Sequence, residues 1–228
     1  MTNETALGAE KLAKRLTLPA KMDPIVLSGS QVRLEPLEVS RDSKALFAVS
    51  NGSTIEIPGA ELNVYDADDL IWRYMNSGPF ADLEAFEFYL QTLIDSPNGL
   101  AMCVFDSENN LQVGVATFMN NFPEHLKVEL GSIWYSPIVQ GKGFNLEATY
   151  LMLRHAFELG YRRVEWKCNA LNERSRRAAL RMGFGFEGIQ EYHFIVKGAN
   201  RDTAWFRMLD CEWDERRLML EKMLGKVM

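Results

Sequence analysis

Residues 126–168 constrain the fold more than any other part of the chain. A β-like run, LKVELGSIWYS, leads through the glycine turn QGKGFNL (140–146) into a helical stretch, and a second β-like run, RRVEWKC, follows. Between them Ala148, Leu151, Met152, His155, Ala156 and Leu159 recur at i, i+3, i+4 and i+7, which predicts an amphipathic helix stopping at Gly160. Strand, helix and strand in that order require a right-handed crossover and therefore a parallel strand pair. Upstream, the runs at 100–106, 111–122 and 126–136 are joined by short connections, the pattern of an antiparallel meander. One sheet must then hold both senses of pairing.

The rest of the chain extends this core. SQVRLEPLE (30–38) alternates as a strand, and SRDSKALFAVSNG, DADDLIWRYMNSG and DLEAFEFYLQTLIDS read as three helices, the first capped by Ser40. After the crossover come a short helix (172–183), two closing strands around FEGIQEYHFIVKG and RDTAWFRMLD, and a last helix, WDERRLMLEKML. The whole predicts one α+β, or mixed α/β, domain over 30–213. Residues 1–29 form an extension, partly disordered or a short helix, and 214–228 a C-terminal helix. A chain of 228 residues suits one substantial core.

Bulk properties exclude several classes of function. The formal charge of −6 argues against nucleic-acid partners and anionic lipid, and no apolar run is long enough to cross a bilayer. Cys103, Cys168 and Cys211 are widely spaced without a CxxC pair, as expected of a cytoplasmic protein. His125, His155 and His193 lie equally far apart, so no metal site is expected.

A helix that starts directly after glycines presents unpaired N–H groups and the positive end of its dipole, a site for phosphate. QGKGFNL lacks the GKS or GKT of a P-loop, and Gly141, Gly143 and Leu146 fail the third position of GxGxxG. Taken alone, the glycines equally serve a sharp connection.

Three pieces in order, Gln140, Gly141 and Gly143 of the loop, then NERS (172–175), then GFGFEG (183–188), resemble the GNAT superfamily of acyl-CoA-dependent N-acetyltransferases. The branch is that similar to the ribosomal-protein N-terminal acetyltransferases, and the resemblance covers about 30–213. It implies a central mixed, mainly antiparallel twisted sheet flanked by helices. It implies acetyl-CoA as cosubstrate, no metal, and direct transfer to an amine, either a protein N-terminus or a small molecule. The loop from Gln140 and Gly141 through Lys142, Gly143, Phe144 and Asn145 to Leu146 would hold the pyrophosphate of CoA. Ile133, Trp134 and Tyr135 would bond its pantetheine arm, and Asn172 and Ser175 would approach the thioester. Asn145 departs from the Gly or Ala usual at its position. A noncatalytic CoA-binding protein of the same fold is the alternative, and a homodimer is a further expectation.

Acetyl transfer needs a neutral amine and a protonated leaving thiolate. Alternation places Glu129 with Gly131, Ile133 and Tyr135 facing a cleft, which makes it the candidate base; the alternative is a partly exposed edge carboxylate paired with a cation such as Lys127 or an arginine. Ser175, three residues after Asn172, is the candidate acid by resemblance, or else closes a local bond beside an Asn172 cap. Tyr192 is a second candidate acid, or a packed aromatic. Glu147 supports the helix N-terminus, and the RSRR run (174–177) either meets phosphate or lines a solvated face. Cys168 and His155 read as core groups, and Trp72, Tyr74, Phe80, Phe86 and Phe88 either line an acceptor pocket or pack in the core.

Overall fold

The computed structural model describes residues 6–57 and 60–225; the outermost residues of both expected tails, 1–5 and 226–228, lie outside them. Six α-helices are α1 Ala9–Thr17, α2 Val39–Ala48, α3 Leu83–Ile94, α4 Phe144–Leu159, α5 Glu173–Arg181 and α6 Asp210–Met223. The strands are β1 Leu27–Ser28, β2 Val32–Pro36, β3 Ile55–Ile57, β4 Ala60–Leu62, β5 Leu100–Asp106, β6 Leu111–Phe122, β7 Lys127–Tyr135, β8 Arg163–Asn169, β9 Gly185–Val196 and β10 Ala199–Leu209. An eight-stranded sheet runs in the order β1-β2-β5-β6-β7-β8-β10-β9, while β3 and β4 form a separate hairpin. Every pair in the large sheet is antiparallel except β7 with β8, the pair joined by α4. The predicted mixed, mainly antiparallel sheet is therefore present, with its one parallel step at the crossover.

Apolar alternation divides the side chains between two layers. Val128, Leu130, Val164, Trp166, Ala204 and Phe206 face the core under α4 and α6. Ala101, Cys103, Phe105, Val115 and Trp134 face a second core under α2 and α3. Burying a large apolar side chain contributes about 1.5–3 kcal/mol, so two such layers hold the sheet between them. Among the described residues no helix is long and apolar enough to cross a membrane.

Local chemistry explains where elements begin and end. Asp82 accepts from the N–H of Ala85 and caps α3. Ser40 does not cap α2: the helix starts at Val39, and Asp42 reaches back to the N–H of Glu38 instead. Gly160, with φ of 96°, ends α4 as expected.

The helix expected over DADDLIWRYMNSG shrinks to a five-residue π-helical turn, Asp68–Trp72. Trp72 takes it inward, 1% exposed, with Nε1 donating to Ser50 O at 2.9 Å. Phe80, Phe86, Tyr89 and Trp134 surround its ring, and that burial overrides helix continuation. In the N-terminal extension, α1 forms, and Asn121 Nδ2 donates to the carbonyls of Pro19 and Ala20. The sheet itself already starts in that extension at Leu27, and the last helix starts at Asp210.

Candidate active site

β7 and β8 pair only from Lys127↔Arg163 to Leu130↔Trp166. β7 then continues to Tyr135 on its other edge, against β6. From Gly131 onward the edge of β7 that faced β8 therefore carries N–H and C=O groups outside any ladder. Ser132 marks the departure with a left-handed φ of 47°, and the register with β6 shifts there. The extra residue inverts the alternation, as a β-bulge does. Leu130 and Tyr135, five apart, consequently face one core and Trp134 the other. The expected common face of Glu129, Gly131, Ile133 and Tyr135 is thus corrected.

A cleft of about 520 Å³ occupies the gap. Its wall along β7 is Ile133, Trp134 and Tyr135, and its floor at the crossover is Gln140, Gly141, Gly143, Phe144, Asn145 and Leu146. Asn172 and Ser175 meet it from α5. Lys142 lies outside this lining; its N–H donates to Val139 O, and its carbonyl accepts from Gln31 Nε2.

The glycines satisfy a backbone need. Gly141 and Gly143 have φ of 77° and 92°, and a Cβ on Gly141 would project into open space. No side chain caps α4, so the first-turn N–H groups and the positive helix end face the cleft. The side chains of the loop turn elsewhere. Gln140 Nε2 donates to Tyr135 O at 3.0 Å and Leu70 O at 3.1 Å, tying the π-helical turn to the end of β7. Asn145 Oδ1 accepts from Thr149 Oγ1 within the helix.

Cations line the opposite wall. Arg174, Arg177 and Arg181 follow one face of α5 and Arg73 adds a fourth. Arg174 Nη2 donates to Asp69 O at 2.6 Å, clasping α5 to the π-helical turn. Sequence reading reached Arg174 and Arg177 through RSRR but missed Arg181, although the i, i+3, i+7 spacing carries it. It missed Arg73, Leu70 and Met75 because they follow from the collapse of the predicted helix.

The Asn172 cap expected at α5 forms, whereas the Ser175 hydroxyl bonds across to β8 and not locally. Asn172 Oδ1 accepts from the N–H of Ser175 at 3.0 Å, and Ser175 Oγ accepts from Trp166 Nε1 at 3.0 Å. The Ser175 hydroxyl thus keeps its own hydrogen to donate. Cys168 nearby is a buried thiol pushed up by burial, which leaves it unsuited to nucleophilic attack.

Glu129 lies on the α2/α3 side, outside the cleft lining. It is 5% exposed, and its Oε2 accepts from Lys167 Nζ at 2.8 Å and Asn120 Nδ2 at 2.7 Å. The pairing with a cation expected in the alternative reading is present, with Lys167 as the cation, but Glu129 is buried and sits between β6 and β8 instead of at an edge. Glu147 is the acid in the first turn of α4, as expected, and its carboxylate also reaches across to the start of β2: Oε1 accepts from Ser30 N and Oγ, and Oε2 from Gln31 N and Val32 N, at 2.7–3.0 Å. Among the aromatics, Trp72 and Phe86 are core, Phe88 is exposed, and Tyr74 lines the cleft. Tyr192 is not packed; it is 84% exposed. Among the described residues no three His, Cys, Asp or Glu side chains are grouped to hold a metal ion.

A helix end for anions, a strand edge for amides and a hydroxyl at the far wall thus share one cleft. The family model described as the acetyltransferase (GNAT) domain matches residues 33–185. The crystal structure of a GCN5-related N-acetyltransferase from Brucella melitensis is similar at 36% identity, with a TM-score of 0.80 over 90% of this chain and 87% of that one. YdaF of Bacillus subtilis (strain 168), provisionally named a ribosomal N-acetyltransferase, is 30% identical over 102 residues, 44% of this chain and 55% of its own. The chain thus spans about half the length of that curated relative. An acetyl transferase from Salmonella typhimurium that modifies the N-terminal serine of ribosomal protein L7/L12 shares the fold, with a TM-score of 0.66 and 17% identity over 81% of this chain and 99% of its own. The chain belongs to the GNAT family of acetyltransferases.

Proposed function

We propose that this protein transfers an acetyl group from acetyl-CoA directly to a primary amine, on a protein N-terminus or a small molecule, in the cytoplasm. The observation that carries this reading is one cleft joining the uncapped start of α4, the free edge of β7 and the Ser175 hydroxyl. The open space at Gly141 fits a pyrophosphate, and the three unpaired cysteines fit a reducing compartment.

Acetyl-CoA supplies the acetyl group as a thioester. The N–H groups of Gly141 and of Gly143 to Leu146 hold its phosphates with the positive end of α4. Arg177 and Arg181 add charge where those phosphates leave the helix end. The β7 edge at Ile133, Trp134 and Tyr135 bonds the amide-bearing arm as a peptide adds to a sheet edge. Asn172 fixes Ser175, whose hydroxyl donates a proton to the leaving sulfur. Glu129 takes the proton of the amine, through the oxygen that Lys167 and Asn120 do not hold. An α-amine, with a pKa of ~8, asks less of this base than a lysine amine at ~10.4. The names of the relatives favour a protein N-terminus as acceptor.

The test is calorimetric titration of acetyl-CoA into the wild type and the double variant Arg177→Glu, Arg181→Glu, both exposed positions. Binding is expected to weaken at least tenfold, about 1.4 kcal/mol. Acetyl-pantetheine, which lacks the phosphates, serves as control and is expected to be unaffected. No binding by the wild type, or equal binding by the variant, overturns the reading.

A further inference from the structure

The two strands that close the sheet carry a second polar group that the cleft residues above leave unused. Alternation puts Ala204, Phe206 and Met208 of β10 into the core, and so Arg201, Thr203 and Trp205 onto the opposite face. Each of the three holds a buried nitrogen or oxygen without a hydrogen-bond partner: Arg201 Nε, Thr203 Oγ1 and Trp205 Nε1. His193 of β9, whose ring lies 5.7 Å from that of Trp205, adds Nδ1. Buried polar groups are normally paired, and four orphans in one strip mark a place built for something else to bond.

Charge makes the strip specific. Lys167 reaches the Trp205 ring at 4.0 Å, but its charge is met by Glu129 at 2.8 Å and Glu165 at 3.2 Å. Arg201 has no such partner: among the described residues no carboxylate lies within ion-pair distance of it. Nη1 bonds the neutral amide oxygen of Asn76, and the guanidinium lies 5.8 Å from the Phe194 ring. Burial depresses its pKa, with Cys168 and Glu129 acting the other way from a distance. A half-buried guanidinium stripped of water and given no anion is costly to keep.

Its position says which ligand it would meet. Asn76 follows Tyr74 and Met75, which line the cleft. Ala170 N–H donates to Asp202 O, so β10 at Arg201 adjoins the segment that leads to Asn172 and Ser175. Arg201 is not itself part of the cleft lining; it adjoins the segments that carry Tyr74 and Met75 on one side and Asn172 and Ser175 on the other, on the face of the sheet that also carries Lys167 and the candidate base Glu129.

We propose that Arg201 is the anion anchor of the acceptor, and that the amine acetylated here carries a carboxylate within a few bonds of its amino group. The planar fork of Arg201 suits bidentate bonding to a carboxylate, with Thr203 and Trp205 donating beside it. This rests on the acetyltransferase reading and narrows its acceptor. The carboxylate can come from a free amino acid or from an acidic side chain next to a peptide N-terminus.

The experiment compares kcat/KM for the free amino acids with their carboxamides, and for Ala-Asp-Gly amide with Ala-Asn-Gly amide. The first pair reads a free amino acid and the second an acidic peptide. Wild type, Arg201→Gln and Asn76→Asp are used; the last supplies Arg201 with a carboxylate from within and keeps the arginine if its removal prevents folding. N-acetyl amino acids and their amides, titrated with and without CoA, give the same comparison in binding and need no turnover. Carboxylate preference is expected to fall at least tenfold in both variants, with acetyl-CoA affinity within twofold of wild type. A smaller fall in preference, or no wild-type preference in either turnover or binding, overturns the proposal. Loss of acetyl-CoA binding by the wild type would instead overturn the acetyltransferase reading, while the titrations without CoA still decide the role of Arg201.

Discussion

Replacing Glu147 with Gln tests how the glycine turn is supported from behind. The buried carboxylate accepts four bonds from Ser30, Gln31 and Val32, and Gln31 in turn donates Nε2 to the carbonyl of Lys142. Gln has the same shape, so no cavity opens, but its NH2 must face two of the donors. With the oxygen kept toward Ser30, the bonds from Gln31 N–H and Val32 N–H are lost, and the Val32 N–H is left buried. Hydrogen bonds to charged groups contribute about 1.5–3 kcal/mol each, so the loss is about 3 kcal/mol at the low end. For a domain of this size each kcal/mol lowers Tm by about 2–4 °C, which gives roughly 6–12 °C. Urea unfolding at pH 7 is the assay, with the m-value expected to stay unchanged. A loss under about 0.5 kcal/mol, the level of an ordinary surface change, would refute the reasoning. Gly29→Ala supplies an internal check, because its Cβ would stand 2.5 Å from Glu147 Cδ. Its cost should shrink in the Glu147→Gln background.

Ser175→Ala is expected to lower kcat about 10²-fold, within the range of acid–base groups, while leaving acetyl-CoA affinity within about twofold; stopped turnover and calorimetry read the two separately. Gln140→Leu, which cuts the bonds to Leu70 O and Tyr135 O, should raise the KM for acetyl-CoA with little change in kcat. Burial pushes the Glu165 carboxyl up, but Arg163, Lys167 and Lys127 outweigh it and the net pKa is lowered. Its stabilisation is therefore present above the ordinary carboxylate value and lost as pH falls through the lower folded value, so Glu165→Gln should be less stable than wild type at pH 7, and the gap should begin to narrow only below the ordinary carboxylate range and close below the lowered folded value. Of the three cysteines only Cys211 is exposed, and burial raises the other two; a thiol reagent should label one site in the native protein and three in denaturant.

The sheet was legible because it follows from alternation and connection length, and the crossover from a strand, helix and strand in sequence. Helix α4 was legible through its 3.6-residue period, and its start through the glycines. What stayed hidden depends on single residues that break a period. Ser132 adopts a conformation unusual for serine and inverts the alternation of β7, so the face of Glu129 could not be read from spacing. Trp72 sinks into the second core and unwinds a segment whose acids and terminators spell a helix. The role of Glu147 depends on a segment more than a hundred residues earlier, a pairing that no local pattern encodes. Asn172 and Ser175 were placed by resemblance and the Asn172 cap by ordinary capping chemistry, whereas the bond from Trp166 to the Ser175 hydroxyl joins two elements and no local pattern encodes it.

The same irregularities that hid parts of the site also make it. A β7 that kept its register past Leu130 would continue to pair with β8, its N–H and C=O groups would be consumed by the ladder, and the cleft would close. The bulge at Ser132 coincides with the end of that pairing, while β6 holds the other edge of β7 out to Tyr135. α4 then begins uncapped at the end of the opened gap, where a side-chain cap would compete with a ligand for the same N–H groups. On the far side, the collapse at Trp72 brings Leu70 against Gln140 and Asp69 against Arg174, which joins both walls of the cleft to one short turn. Substituting Gln140 or Arg174, which hold this turn by bonds to the carbonyls of Leu70 and Asp69, therefore bears on ligand binding more than on stability, whereas substituting Trp72 would also open the second core.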